Sequence, residues 1–242
     1  FESIIRCLEK NHPDLIEIYH TYQISTYPLV KIVLGKSNPR RVLISAGIHG
    51  DEPAGIETIL SFLENHHYSS YTNNWEITLL PCINPHGYEY GIRENHDEKD
   101  LNRLFKEAQS VTEVSFAQSV LSTPFELTIE LHEDNESSGY YLYQKGIDVK
   151  DDKIGFEIID AIKNIMPINM DDEIDGTSAD RGVIGKAIDI SKMDWWPMAL
   201  YGLSKGVERC LTLETASQFD MSIRVDAHLT AIKTALNYYS NK

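Results

Sequence analysis

The residues with the plainest chemical potential lie in S-A-G-I-H-G-D-E-P-A-G, residues 45–55, where His49 and Glu52 stand three positions apart among glycines. Imidazole and carboxylate are ligand types that suit Zn²⁺. The stretch follows the apolar run Val42-Leu43-Ile44 and precedes a segment with helical spacing. A strand that ends in a Gly-rich turn and feeds a helix presents side chains at the carboxyl edge of a sheet, where open α/β folds bind ligands. His49 and Glu52 are therefore read as two of three metal ligands. H-x-x-E alone is a weak pattern, so a third ligand, a base and a substrate anchor have to come from elsewhere in the chain.

Two strand ends and one loop offer them. His132 closes the alternating stretch F-E-L-T-I-E-L-H. It would complete a set of three protein ligands with a position left open, the arrangement of a catalytic zinc. A ligating His ordinarily donates its other N–H to a carboxylate or carbonyl, and Asp100, Glu130 and Glu133 are available. Glu214 ends G-V-E-R-C-L-T-L-E. It is placed either as general base toward a metal-activated water or as a solvated carboxylate at a sheet edge. Arg93, Asn102 and Arg103 cluster around D-L-N-R. Arg forks pair bidentately with carboxylates, so this group either captures a substrate carboxylate or makes surface salt bridges with Glu94, Asp97, Glu98 or Asp100.

The elements that must position these residues can be read from periodicity. A short helix is expected over residues 1–8 and a hairpin-like pair of strands over 15–25 and 27–35, both rich in β-branched and aromatic residues. Residues 41–48 are almost continuously apolar, as in a central strand buried on both faces. Residues 52–67 read as a helix with Pro53 in its first turn, 75–83 as a strand, 84–87 (N-P-H-G) as a turn, and 91–100 as a surface loop. Strands follow at 125–132, 140–144 and 206–215, with helices at 153–166 and 221–239 and a long acidic loop at 171–185. Strands alternating with helices, without repeats or a linker, imply an α/β single-domain three-layer sandwich spanning residues 1–242, with a mixed, mostly parallel central sheet flanked by helices.

Composition narrows the partners. The 242 residues are 42% hydrophobic and 24% charged, with a formal net charge of −15. This balance argues against nucleic acid or an anionic membrane as the main partner and requires a local basic pocket for any anionic substrate. The three cysteines, Cys7, Cys82 and Cys210, form no C-x-x-C pair, and Cys82 and Cys210 sit in apolar runs, so buried free thiols in a reducing compartment are expected. No apolar run reaches the roughly 18 residues of a membrane span. The opening F-E-S-I-I-R-C-L-E-K has no signal-peptide pattern and no Met. A cytoplasmic protein with a trimmed N-terminus is the expectation.

The order H-x-x-E, N-P-x-G, Arg, D-L-N-R-x-F, strand-end L-H and strand-end L-E-T resembles the zinc carboxypeptidases of the M14 class and the related aspartoacylase/succinylglutamate desuccinylase group, over residues 41–216. The resemblance implies a zinc-carboxypeptidase-like fold and one Zn²⁺ per chain, held by His49, Glu52 and His132. It implies that Asp100 orients His49, that Arg93 polarises the scissile carbonyl and steadies the oxyanion, and that Asn102 and Arg103 hold the substrate's free carboxylate. Glu214 would activate the zinc-bound water and pass its proton to the leaving amine. The implied activity is hydrolysis of an amide beside a free carboxylate, of metallocarboxypeptidase type, on a small peptide. The alternative is an N-acyl amino acid deacylase, and a second alternative is a non-catalytic metal-binding relative.

The sequence departs from the family pattern at several points. Tyr201 is the one Tyr between Tyr143 and Glu214, and its flanks read as helix rather than as the loop that carries the substrate-facing Tyr of the larger carboxypeptidases. L-H-E-D-N-E-S matches neither group, whereas D-L-N-R-L-F leans toward the deacylases. The deacylases carry an additional C-terminal β domain, and this sequence runs into a helix after Glu214. Side-chain preference is expected to depend on loops around 176–185 and 195–201. There Arg181 and Lys186 would favour an acidic group, and Asp175 and Asp180 a basic one.

Overall fold

The structure, a computed structural model, describes residues 2–11, 16–21, 27–108, 110–146, 152–185 and 192–240. Helix α1 (Glu2–Asn11) leads into strands β1 (Ile16–Thr21) and β2 (Pro28–Leu34), which pair antiparallel as their composition predicts. Then come β3 (Arg40–Ala46), α2 (Pro53–Glu64), β4 (Trp75–Leu80), α3 (Pro85–Tyr90), α4 (Thr112–Leu121), β5 (Leu127–Asp134) and β6 (Tyr141–Gly146). The chain continues through α5 (Ile154–Ile162), β7 (Glu173–Ile174), β8 (Thr177–Ser178), β9 (Val183–Ile184), α6 (Met198–Ser204), β10 (Arg209–Ala216) and α7 (Met221–Ser240).

Eight strands form one sheet in the order β1-β2-β4-β3-β5-β10-β6-β9. Its centre, β4-β3-β5-β10, is parallel; β1 and β2 pair antiparallel with their neighbours, and β6 is antiparallel to β10 and parallel to β9. Alternation along each central strand sorts its side chains between two cores. Val42, Ile44, Ile129, Leu131, Leu211 and Leu213 join the larger core, to which α2, α5 and α7 contribute Ile59, Ile158 and Ile232. Leu43 and Cys210 face the smaller core, with Phe116 of α4 and Met198 of α6. The result is the expected three-layer α/β sandwich with a mixed sheet. The same alternation puts Ser45 of β3, Thr128, Glu130 and His132 of β5, and Cys210, Thr212 and Glu214 of β10 on the face covered by α4 and α6.

Two local readings are corrected, and one helix, α4, lies where no element is expected from the sequence. Residues 84–87 are not a bare turn: Asn84 caps α3 by accepting the Gly87 N–H at 2.9 Å, with Pro85 at the first helical position. Helix α4 carries no strong periodic signal and is held by the burial of Val114, Phe116, Ala117 and Leu121. The acidic stretch 171–185 is not one loop: β7 and β8 form a hairpin, and β9 extends the main sheet beside β6. Cys82 and Cys210 are buried free thiols as expected, whereas the side chain of Cys7 lies outside the described residues. No helix among the described residues is long and apolar enough to cross a membrane.

The β3–α2 turn is locked by contact with the first turn of α3. A Cβ added at Gly50 would stand 1.9 Å from the Gly87 carbonyl carbon and 2.2 Å from the Tyr88 nitrogen, both backbone atoms that cannot move aside. Overpacking of this kind costs about 1–3 kcal/mol, and each kcal/mol lowers Tm by roughly 2–4 °C in a protein of this size. Gly50→Ala is expected to lower Tm by about 3–10 °C in a calorimetric scan. Gly185→Ala, where a Cβ meets nothing within 4 Å, should leave it unchanged.

Candidate active site

Glu52 is the last residue before α2, and the turn after β3 folds His49 back over it. The His49 Nδ1 lies 2.6 Å from Glu52 Oε1, and the His132 Nδ1 lies 2.9 Å from Glu52 Oε2. The ligand atoms of His49, Glu52 and His132 all fall within 4.8 Å of one another, and the three residues are 3%, 6% and 4% exposed. Burial alone would push the Glu52 carboxyl upward, but His132 and then His49, through charge and hydrogen bonds, outweigh it and hold Glu52 at about 2. Burial likewise opposes protonation of His49, and its hydrogen bonds to Asp100 and Glu52 override that and raise it. The donor set of two buried imidazole nitrogens and one carboxylate fits a divalent ion such as zinc, with three protein ligands and a position left for substrate.

The surroundings fix how these groups point. His49 Nε2 sits 3.3 Å from Asp100 Oδ1, which turns Nδ1 toward Glu52. Asp100 Oδ2 also accepts from Arg93 Nε and Nη2, each at 3.1 Å, leaving Nη1 aimed at Glu52 Oε1 3.5 Å away. The Arg93 loop is tied down by Asn84, whose Nδ2 donates to the Arg93 and Glu94 carbonyls at 3.2 and 3.0 Å. Asn102 accepts the Met198 N–H at the start of α6 through Oδ1 at 2.9 Å, which leaves its Nδ2 as a donor toward the cleft. The Arg103 guanidinium stacks 3.9 Å over the Trp195 ring. Glu214, on β10, is the register partner of His132 on β5 and of Tyr141 on β6. Burial pushes the Glu214 carboxyl up to about 8. The charge of His132 opposes this shift, and Glu52, Asp134 and Asp175 add to it.

His49, Glu52, Arg93, Asn102, Arg103, His132 and Glu214 all line one cleft of 980 Å³, and Asp100 stands behind it bonded to His49 and Arg93. All eight residues singled out from the sequence are thus brought together. Tyr201 is not among them: it packs on Phe105 at 5.9 Å within the smaller core. The cleft-lining tyrosines are Tyr141, which donates to Asp134 Oδ2 at 2.9 Å, and Tyr143, which donates to Asp175 Oδ2 at 2.9 Å. Asp175 lines the cleft as anticipated, but Asp180 and Arg181 do not: Arg181 pairs with Asp180 and covers Phe156. Lys186 lies outside the described residues.

Two supports, Asn84 and His228, went unread in the sequence, and a third, Glu133, was offered there as a partner for a ligating His, which it is not. Asn84 read as a turn residue. Glu133 follows the ligand His132, points to the opposite side of the sheet, accepts the Ala54 N–H at 2.6 Å and pairs with Arg224 of α7. His228 of α7 places Nε2 3.2 Å from the His132 carbonyl. Only a register-level view connects these positions to the site.

The cleft and its residues can now be set beside known proteins. The pattern that defines the succinylglutamate desuccinylase/aspartoacylase catalytic domain matches residues 38–187, more than half of the chain. The chain is similar in structure to a candidate metallopeptidase from Shewanella amazonensis, with a TM-score of 0.83 and 22% identity over 98% of this chain and 91% of that one. It is similar also to a metallo-carboxypeptidase from Burkholderia cenocepacia, with a TM-score of 0.70 and 15% identity over 99% of this chain and 68% of that one. A metallo-carboxypeptidase from Pseudomonas aeruginosa, solved in complex with (2-guanidinoethylmercapto)succinic acid, has a TM-score of 0.68 and 14% identity over 98% of this chain and 68% of that one. These likenesses at low identity show a shared fold, and the domain match shows kinship: the chain belongs to the succinylglutamate desuccinylase/aspartoacylase family of hydrolases.

Proposed function

We propose that the chain acts as one catalytic domain, a zinc-dependent hydrolase that cleaves an amide bond beside a free carboxylate. The observation that carries this reading is the convergence of His49 Nδ1, Glu52 and His132 Nδ1 in a cleft that also holds Glu214 and two arginines. His49, Glu52 and His132 would hold the ion. The chemistry that a bound zinc supplies is Lewis acidity toward water and carbonyl oxygen. Glu214 takes the proton of the attacking water and returns it to the leaving nitrogen, and burial makes it a stronger base than a free Glu. Arg93, held by Asp100, presents Nη1 to the oxyanion. Asn102 Nδ2 and Arg103 hold the free carboxylate, with Trp195 keeping the Arg103 plane in place.

A cleft of 980 Å³ has room for more than an acyl-amino acid, which favours a peptide substrate and carboxypeptidase-type cleavage. Membership of the desuccinylase/aspartoacylase family favours the second reading, removal of an acyl group from an amino acid. A panel of C-terminal dipeptides set against N-acetyl- and N-succinyl-amino acids separates them. Dipeptides with a free C-terminus are expected to be hydrolysed, with a loss of about 10–150-fold when the terminus is amidated, the worth of hydrogen bonds between charged groups, about 1.5–3 kcal/mol. Turnover of acyl-amino acids alone would establish the second reading in place of the first.

Glu214→Gln should lower kcat/KM by about 10²–10⁴-fold, the usual contribution of a positioned acid–base group. Zinc content by elemental analysis and Tm should stay unchanged. Undiminished turnover by this variant would refute the mechanism. Removal of metal by chelation should abolish hydrolysis and lower Tm. A ligand present at a thousandfold over its Kd stabilises by about 4 kcal/mol, or roughly 10 °C here, and stoichiometric zinc should restore both properties.

A further inference from the structure

Below the proposed reacting centre the cleft continues into a recess whose charges the mechanism does not use. The pairing register defines two layers on this face of the sheet. The upper layer is His132, Glu214 and Tyr141, side by side on β5, β10 and β6. The layer beneath, two residues back along β5 and β10 and two residues on along antiparallel β6, is Glu130, Thr212 and Tyr143. Two residues of strand span about 6.6 Å. Lys145, two residues further along β6, folds its Nζ back over the Tyr143 ring, 4.5 Å from its centroid, and so delivers its ammonium to the Glu130 layer. Ala199 and Leu200 of α6 line the recess, and Glu130, Thr212, Tyr143 and Lys145 line it from the sheet.

Both charges in this layer lack partners. Glu130 is 3% exposed and makes no hydrogen bond with the described residues, its nearest ionic neighbour being His132 Nε2 at 4.0 Å. Lys145 has no carboxylate within 4.0 Å among the described residues and is not paired with Glu130. An unpaired buried carboxylate is costly, and Glu130 and the half-buried Lys145, which do not meet, are satisfied together by a ligand that bridges them. Glu130 and Lys145 stand on β5 and β6 with β10 between them, farther apart than the 4.0 Å of an ion pair, and a group that carries both an ammonium and a carboxylate can meet the two at once.

We propose that this recess binds the side chain of the substrate residue beside the scissile amide, and that it selects a side chain ending in an ammonium and a carboxylate, the first for Glu130 and the second for Lys145. This deepens the hydrolase reading and rests on it for the orientation. Asn102 caps the helix that roofs the recess, so a main-chain carboxylate held at Asn102 and Arg103 directs its side chain beneath α6. Neither Arg181 nor Asp180, the residues expected from sequence to set the preference, lines the cleft.

Calorimetric titration of the zinc-loaded protein with free amino acids tests the recess without turnover. 2,6-Diaminopimelate is expected to bind at least tenfold tighter than lysine or 2-aminoadipate, and norleucine weakest of the four. Lys145→Met should bring 2,6-diaminopimelate to within about threefold of lysine, and Glu130→Gln should bring it to within about threefold of 2-aminoadipate. Elemental analysis checks that both variants retain zinc. Lys145→Met, on a strand that carries no proposed ligand, decides the matter alone if Glu130→Gln fails to fold or to load. Norleucine binding as tightly as 2,6-diaminopimelate, a preference for one singly charged side chain, or an order unmoved by Lys145→Met overturns the proposal. Because no bond is cleaved, this outcome is independent of the substrate panel, whose failure would count against the hydrolase reading alone.

Discussion

A carboxylate shared between two imidazoles, all three nearly sealed from solvent, is the interaction around which this molecule is arranged. Glu52 can remain ionised in the interior because His132 and His49 each turn a ring nitrogen to one of its oxygens. Breaking one side of such a pair leaves a buried charge uncompensated, which costs several kcal/mol. Each participant therefore has its own brace: Asp100 for His49, the β5 backbone for His132, and the start of α2 for Glu52. The close approach of Gly50 to α3 and the Asn84 bonds that fix the Arg93 loop follow from the same requirement.

Much of this arrangement was legible in the sequence, for a physical reason. Parallel central strands write their burial as near-continuous apolar runs, and a polar residue at the carboxyl end of such a run is conspicuous. His49 stood out in that way, while His132 and Glu214 stood out as strand ends, His132 closing an alternating stretch, and register then made those two neighbours. What escaped were features whose signals are local and ambiguous. Asn84-Pro85 is both a turn dipeptide and a cap with a first-turn proline, and only the packing of α3 on the β3–α2 turn selects the helix. Helix α4 owes its existence to burial rather than propensity. The short strands β7, β8 and β9 have two residues each, too few for any periodicity to register.

The charged recess escaped for a different reason. Glu130 and Lys145 are fifteen positions apart in the chain, each surrounded by unremarkable strand residues. Their relation exists only after β10 is inserted between β5 and β6, which happens because the strand formed last in sequence threads between two earlier ones. Reactive groups and recognition groups thus share the same three strands but occupy successive layers. A change at Glu130 or Lys145 can alter what is bound while His132 and Glu214, one layer up, keep their geometry.

Arg224 and His228 give the terminal helix a part in all this. Arg224 grips Glu133, which in turn holds the Ala54 N–H next to Glu52, and His228 sits against the carbonyl of His132. Two of the three converging side chains are therefore braced from the opposite face of the sheet by α7, a segment that contributes nothing to the cleft lining. Helix α7 follows every reacting group in chain order, so the groups of the centre precede the buttress behind them, and the centre is complete only once α7 has docked.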